Sequence, residues 1–302
     1  MSSERKAAGV LTMLACFLLV NVSALHAKTP ITQTAIKLEG EAMTTTLEQS
    51  ATETASRKNE PAAFTMPAIS PMIPPPPYRY RDTKALNILF KTDPSIAQGL
   101  VPAPLKASPD QPLIFYIGHF QFQDFDATYN EAGLLVPVTC DGHAAGLFAV
   151  VLYLDKANPV VGGREIYGWP KKDADEIVFK EDKGKLVAGV TRYGKPIISV
   201  TFSDGQKAAT IPPRPKDTFY MLKMIPSVVQ GAPPDVMKLT STVIDPDVIK
   251  ELQTGKATLA FGESPFDSFL AGIPVREIVY SEVIVHDFTL GYGKDVIDYL
   301  AK

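Results

Sequence analysis

The sequence is short of cysteine, of net charge and of long apolar runs, and each shortage removes a class of protein. Its two cysteines are Cys16 and Cys140; Cys16 sits in an apolar leader, so no intrachain disulfide is expected and stability must come from a core. A net charge of −3 with 21% charged residues offers no basic surface, so neither nucleic acid nor an anionic membrane is an expected partner. The apolar run from Ala7 to Val20 is shorter than the ~20 residues that span a bilayer, and no later segment supplies a span. Zinc-type and serine-hydrolase spacings are also missing. There is no H-E-x-x-H, paired C-x-x-C, G-x-S-x-G or P-loop, and His119, His143 and His286 lie far apart, so neither a metal nor a nucleotide cofactor is expected. Lysine and carboxylate chemistry remain.

What is present begins with Arg5 and Lys6, the apolar run, and small residues ending at Ala24 and Ala27. That order predicts a secretory signal peptide over 1–27, cut after Ala24 or Ala27, and therefore an exported, periplasmic or secreted protein. Lipoprotein processing at Cys16 is the alternative. Residues 28–70 are rich in Thr, Ala, Glu and Ser with few aromatics, a composition that buries too little surface to offset its ordering entropy, and they are expected to form a flexible arm. Pro71 to Pro77 holds five prolines in seven residues and favours extended chain. One domain over 71–302 is expected to follow.

Beyond Tyr78 the pattern is one of short apolar runs rich in β-branched and aromatic residues: Ala85 to Phe90, Leu113 to Phe122, Leu134 to Cys140, Ala149 to Leu154, Glu176 to Lys180, Lys185 to Arg192, Lys195 to Phe202 and Glu277 to Thr289. These predict strands. Turn signals at Lys183-Gly184, Tyr193-Gly194 and Asp204-Gly205 predict an antiparallel meander from Glu176 to Thr210. Helices are expected over Pro94 to Gly99, Asp245 to Gly255 and Lys294 to Ala301. The fold class is mainly β (α+β).

The informative stretch is Gly163-Arg164-Glu165-Ile166-Tyr167-Gly168-Trp169-Pro170-Lys171-Lys172. From these residues alone, the two lysines are either a solvated turn or a reactive pair. If Lys171 points inward, desolvation and a neighbouring cation both disfavour its ammonium form and leave a nucleophilic amine.

The segment resembles the signature of the acetoacetate decarboxylase-like superfamily. The resemblance continues in order through Pro77-Tyr78 and Asn87, Thr92-Asp93, Val101 to Leu105, Tyr129 with Glu131, Val136-Pro137-Val138, Tyr153-Leu154-Asp155, Tyr220 to Pro226 and Pro274 to Ile278. It implies a large antiparallel β cone or closed barrel with a few short helices, a homo-oligomer, and a small keto acid as substrate. It implies roles too: Lys171 forms the imine, Lys172 is its electrostatic neighbour, and Glu131 is a glutamate near the amine. Arg164, seven residues before Lys171, is a candidate for the keto-acid carboxylate, or else an internal salt bridge.

Two positions depart from the family pattern. A second glutamate would fall near Ile117, and an arginine would fall on Thr83. The resemblance therefore implies a Schiff-base lyase, nominally a decarboxylase of an acetoacetate-like β-keto acid. The alternatives are a pyruvate-type aldolase-dehydratase through the same lysine imine, or a non-catalytic small-molecule binding protein on the same fold.

Overall fold

The computed structural model describes residues 64–301, apart from 123, 125–127, 213 and 215. The expected signal segment 1–27 and the arm up to residue 63 lie outside the described residues. The described residues divide into two units between Pro75 and Pro76; within the first, residues 64–70 are turns and bends with mostly exposed side chains.

The second unit contains thirteen strands: β1 (Tyr78–Lys91), β2 (Lys106–Ala107), β3 (Leu113–Phe120), β4 (Tyr129–Thr139), β5 (Gly146–Leu154), β6 (Lys171–Asp173), β7 (Glu176–Asp182), β8 (Lys185–Arg192), β9 (Lys195–Lys207), β10 (Asp217–Ile225), β11 (Val236–Phe261), β12 (Glu277–Leu290) and β13 (Lys294–Asp298). Seven of them run β10-β5-β4-β3-β1-β12-β11, and a β10–β11 pairing closes the ring. Closure removes the unpaired edges that an open sheet leaves. The far end of β11 then pairs with β9, which continues through β8 to β7 as a meander. The mainly β closed architecture is the expected one.

The turns of that meander follow their residues. Lys183, Gly184, Tyr193 and Gly194 all have positive φ, the backbone that a tight two-residue hairpin needs. Asp204-Gly205 differs: Asp204 has φ 57°, yet β9 continues through it to Lys207 and the pairing with β11 shifts register nearby. The signal expected to turn the chain makes a bulge instead.

Two of the three expected helices are also strands. Asp245 to Gly255 lies inside β11, where it pairs with β12 around two register shifts. Its local sequence suits a capped helix, but Leu252 packs with Ala85 and Ile284, and pairing with a long neighbour outweighs weak local propensity. Likewise, Lys294 to Asp298 forms β13 against β11. The helix α1 (Pro94–Gly99) forms as expected, with proline in its first turn.

Alternation along the strands creates two large apolar cores beside the small cluster of Ala85, Leu252 and Ile284. The larger takes Leu86, Ile88, Phe90, Phe115, Ile117 and Leu134, with Leu186, Val190 and Val200 from the meander. The smaller is aromatic and includes Tyr78, Tyr80, Phe120, Tyr129, Tyr167, Trp169 and Phe288. Tyr80 and Leu86 are both even-numbered, so a regular strand would point them the same way. A register shift between Tyr80 and Thr83 changes the parity and sends them to different cores. Cys140 is a free, buried thiol.

Candidate active site

Sheet register brings Lys171 and Glu131 together. Lys171 on β6 pairs in parallel with Leu152, while Glu131 on β4 pairs with Leu154. Leu152 and Leu154 are two apart and share a face, so Lys171 and Glu131 share it also. Their side chains meet there: Lys171 Nζ lies 2.9 Å from Glu131 Oε2, and the two are 9% and 6% exposed.

The chain between β5 and β6 explains why the decapeptide has its composition. A short helix, α2 (Ala157–Gly162), continues into a π-helical turn (Gly163–Tyr167). A Cβ on Gly163 would lie 2.5 Å from Lys171 Cδ and 2.7 Å from Cε, so glycine makes room for the lysine stem. Gly168 ends the turn at φ 84°, and a Cβ there would lie 2.4 Å from Lys223 Cβ. Only glycine adopts that left-handed conformation at so close an approach without strain. The Pro170 carbonyl then accepts from the Leu152 N–H, which starts the parallel pairing one residue before Lys171.

Around the pair the surroundings are phenolic. The Tyr116 hydroxyl donates to Glu131 Oε1 at 2.6 Å, and the Lys171 ammonium stands 5.6 Å from the centroid of the Tyr129 ring. Glu131 Oε2 accepts no aligned hydrogen bond among the described residues; its contact with Lys171 is an ion-pair approach. Burial, then the Glu131 carboxylate, push the Tyr116 phenol well above its ordinary range. Tyr116 therefore remains a donor to Oε1, and Oε2 is the oxygen turned to the Lys171 nitrogen. Tyr116 was not anticipated from sequence. The family's second glutamate is expected near Ile117; Ile117 itself faces the larger core, and it is Tyr116 that faces Glu131. Gly133, directly opposite Tyr116 in the ladder, was the available signal: a Cβ there would lie 2.4 Å from the Tyr116 ring.

Lys172 is placed elsewhere. It pairs with Tyr153 in the β5–β6 ladder and points to the opposite face from Lys171. Its ammonium donates to Asp267 Oδ1 at 2.8 Å and to the Phe266 carbonyl at 3.0 Å. Asp267 is fully buried and also accepts from Tyr153, Arg192 and Ser264. The structure thus separates two lysines that the resemblance treats as one unit. Arg164 donates to the backbone carbonyl of Lys171 at 3.1 Å and is an exposed residue; it braces the lysine's strand. Thr83, where the family arginine would fall, is fully buried, and its hydroxyl oxygen has no hydrogen-bond partner among the described residues.

The acetoacetate decarboxylase family model matches residues 65–300. The chain belongs to this family. Acetoacetate decarboxylase of Ralstonia nicotianae is 35% identical over 250 residues, covering 80% of this chain and 96% of that protein. A solved acetoacetate decarboxylase from Legionella pneumophila superposes with a TM-score of 0.68 at 27% identity, over 89% of this chain and all of the other. The enduracididine biosynthesis enzyme MppR, solved in complex with pyruvate, has a TM-score of 0.66 at 17% identity over 79% of this chain and 99% of that one, a likeness of fold alone. Membership of a family whose similar members are acetoacetate decarboxylases supports an enzyme.

Proposed function

We propose that this protein is a Schiff-base lyase acting on a small keto acid, with decarboxylation of an acetoacetate-like β-keto acid as its reaction. The observation that carries the proposal is the buried Lys171–Glu131 pair, 2.9 Å apart, with a second carboxylate oxygen occupied by Tyr116. Moving one proton from the ammonium to Oε2 turns the ion pair into a neutral amine and a neutral acid. No net charge is created in a poorly solvated place, so the step avoids the usual cost of burying charge.

The amine of Lys171 then bonds to the ketone carbon, and the carbonyl electron pair moves to oxygen. Glu131 gives its proton to that oxygen, the attacking nitrogen gives up a second one, and the oxygen leaves as water with a protonated imine remaining. The carbon–carbon bond to the carboxylate breaks, its electron pair flows into the imine as an enamine, and carbon dioxide departs. Protonation of the enamine carbon and hydrolysis of the imine release the ketone and restore the amine. Lys172, paired with Asp267 on the other face, takes no part in proton transfer and steadies the strand that carries Lys171.

A second reading has a specific observation behind it. With no arginine at Thr83 and no carboxylate at Ile117, the polar lining differs from that of the decarboxylases that the sequence resembles, and the enamine formed from a pyruvate-like acid would instead attack an aldehyde. Borohydride reduction with each keto acid, followed by peptide mass analysis, separates the readings. An adduct on the Lys171 peptide with carbon dioxide release supports the decarboxylase. An adduct without release supports the aldolase-dehydratase, and no adduct with any keto acid leaves a binding protein. Lys171→Ala is expected to abolish trapping while the circular dichroism spectrum is kept; trapping that persists moves the nucleophile to another residue. Export and homo-oligomer formation belong to the same proposal and are read by cell fractionation and by light scattering.

A further inference from the structure

Buried tyrosines in this fold spend their hydroxyl hydrogens. Tyr116 donates to Glu131, Tyr153 to Asp267, Tyr167 to the Gly291 carbonyl and Tyr220 to the Ala144 carbonyl. Tyr80 and Tyr129 break the pattern. Their residues are 5% and 3% exposed, and their hydroxyl oxygens lie 3.2 Å apart, with Tyr129 donating to Tyr80. Burial, foremost, raises both phenols above their ordinary range, so both keep their hydrogens. Two O–H donors share one mutual contact, and no other hydrogen bond to either hydroxyl exists among the described residues. One O–H, that of Tyr80, is left over. A buried donor without an acceptor costs about 1 to 3 kcal/mol, and such an orphan is uncommon enough to ask what would take it.

Its position answers in part. The Tyr129 ring is the one that stands beside the Lys171 ammonium, so the hydroxyl pair borders the amine. The rings are also held in place. Tyr80 is stacked between Phe122 and Phe288, with centroids 5.1 and 4.4 Å away and interplanar angles of 13° and 8°, and Tyr129 lies on Phe120 at 5.4 Å and 7°. Rings clamped in this way aim a hydroxyl with little freedom left to lose on binding.

We propose that the Tyr80–Tyr129 hydroxyl pair is the subsite for the carboxylate of a keto acid held at Lys171, with the Tyr80 O–H as the donor. This rests on the reading of Lys171 as the imine-forming residue. The ketone oxygen is served by Glu131 and leaves as water, which makes the carboxylate the remaining polar group of the substrate. Arg164, the expected guanidinium partner, is engaged with the Lys171 backbone. A neutral phenol also suits the chemistry better than a cation. Decarboxylation moves the carboxylate's charge into the imine, and a cation bound to that carboxylate would stabilise the ground state against the move, whereas a phenol orients it at smaller cost.

The test is Tyr80→Phe, which keeps the stacked ring and removes the donor. Adduct formation is titrated with acetoacetate, read by borohydride trapping, and with pentane-2,4-dione, a β-dicarbonyl that lacks the carboxylate and whose lysine adduct is a conjugated enaminone read by its near-ultraviolet absorbance. The expected result is an about tenfold higher half-saturation for acetoacetate, the loss of one hydrogen bond to a charged group, with pentane-2,4-dione unchanged. Unchanged values for both ligands overturn the subsite. Equal weakening for both also overturns it, since the hydroxyl would then support Lys171 itself. If the wild-type protein forms an adduct with neither ligand, the Lys171 reading falls and takes this one with it. An adduct with the diketone alone on the wild type keeps the Lys171 reading and rejects the subsite.

Discussion

Strand β6 carries two lysines one residue apart, each paired with a buried carboxylate, and the two carboxylates are surrounded differently. On one face Asp267 accepts from Lys172, Arg192, Ser264 and Tyr153. Burial alone would raise its pKa, but those donors, Lys172 foremost, outweigh it and hold the carboxyl far below the ordinary range. It is saturated and stays charged. On the other face Glu131 has one cation, Lys171, one phenol, Tyr116, and an oxygen that accepts no aligned hydrogen bond among the described residues. That carboxylate has room for a proton. On the reading proposed above, a buried ion pair is structural or chemical according to how many other donors its carboxylate has.

The comparison can be broken most severely at Glu131. Glu131→Gln keeps the shape and removes the proton acceptor, and adduct formation with acetoacetate is expected to slow by a factor on the order of 10³, with thermal stability little changed. A rate within a factor of two or three of the wild type would mean that Glu131 is as structural as Asp267. Asp267→Asn is the mirror experiment. It leaves Arg192 and Lys172 without their buried counter-charge, and the expected loss is about 3 to 5 kcal/mol, or a fall in Tm on the order of 10 °C for a domain of this size. Calorimetry reads it. Because the folded carboxyl titrates below its unfolded value of ~3.9, its contribution is complete above that pH and is lost as pH falls further. Stability of the wild type should therefore decline more steeply than that of Asp267→Asn from about pH 5 downward, and parallel curves would remove Asp267 from the acid response.

Much of this was legible in the sequence, and the limits have physical causes. The strands of the ring and of the meander follow from period-two alternation, as in Lys185–Arg192, and Lys183-Gly184 and Tyr193-Gly194 fix their hairpins. Asp245 to Gly255 misled because its local preference is helical while its partner is β12, more than twenty residues away. Lys171 and Glu131 were found through the family signature, since forty residues separate them and only sheet register joins them. Tyr116 and Asp267 were missed for different reasons: Tyr116 faces Glu131 through strand parity, whereas Asp267 comes from the loop between β11 and β12 and reaches Lys172 only in the folded chain. The family's carboxylate is expected near Ile117, but a strand turns alternate positions away: Ile117 faces the larger core, and the side chain facing Glu131 is Tyr116, one residue earlier. The same parity separates Lys172 from Lys171.

The smallest expected effect sharpens the comparison most, because it concerns the lysine whose role the resemblance and the geometry describe differently. If Lys172 acted by charge on its neighbour, Lys172→Ala would move the pH dependence of adduct formation upward and leave stability alone. Its ammonium is instead committed to Asp267 and the Phe266 carbonyl, on the face away from Lys171. The side chain is 31% exposed, so water and Arg192 take up part of the loss, and the cost to Tm is expected to be a few degrees rather than that of Asp267→Asn. With β6 less firmly held, Lys171 samples wrong positions, and adduct formation should slow by about the same few-fold factor at every pH, since misplacement lowers the frequency of productive geometry without changing what titrates. Trapping rates measured across pH 5 to 9 decide between the two. A vertical displacement of the profile assigns Lys172 to positioning, and a horizontal one returns it to electrostatics.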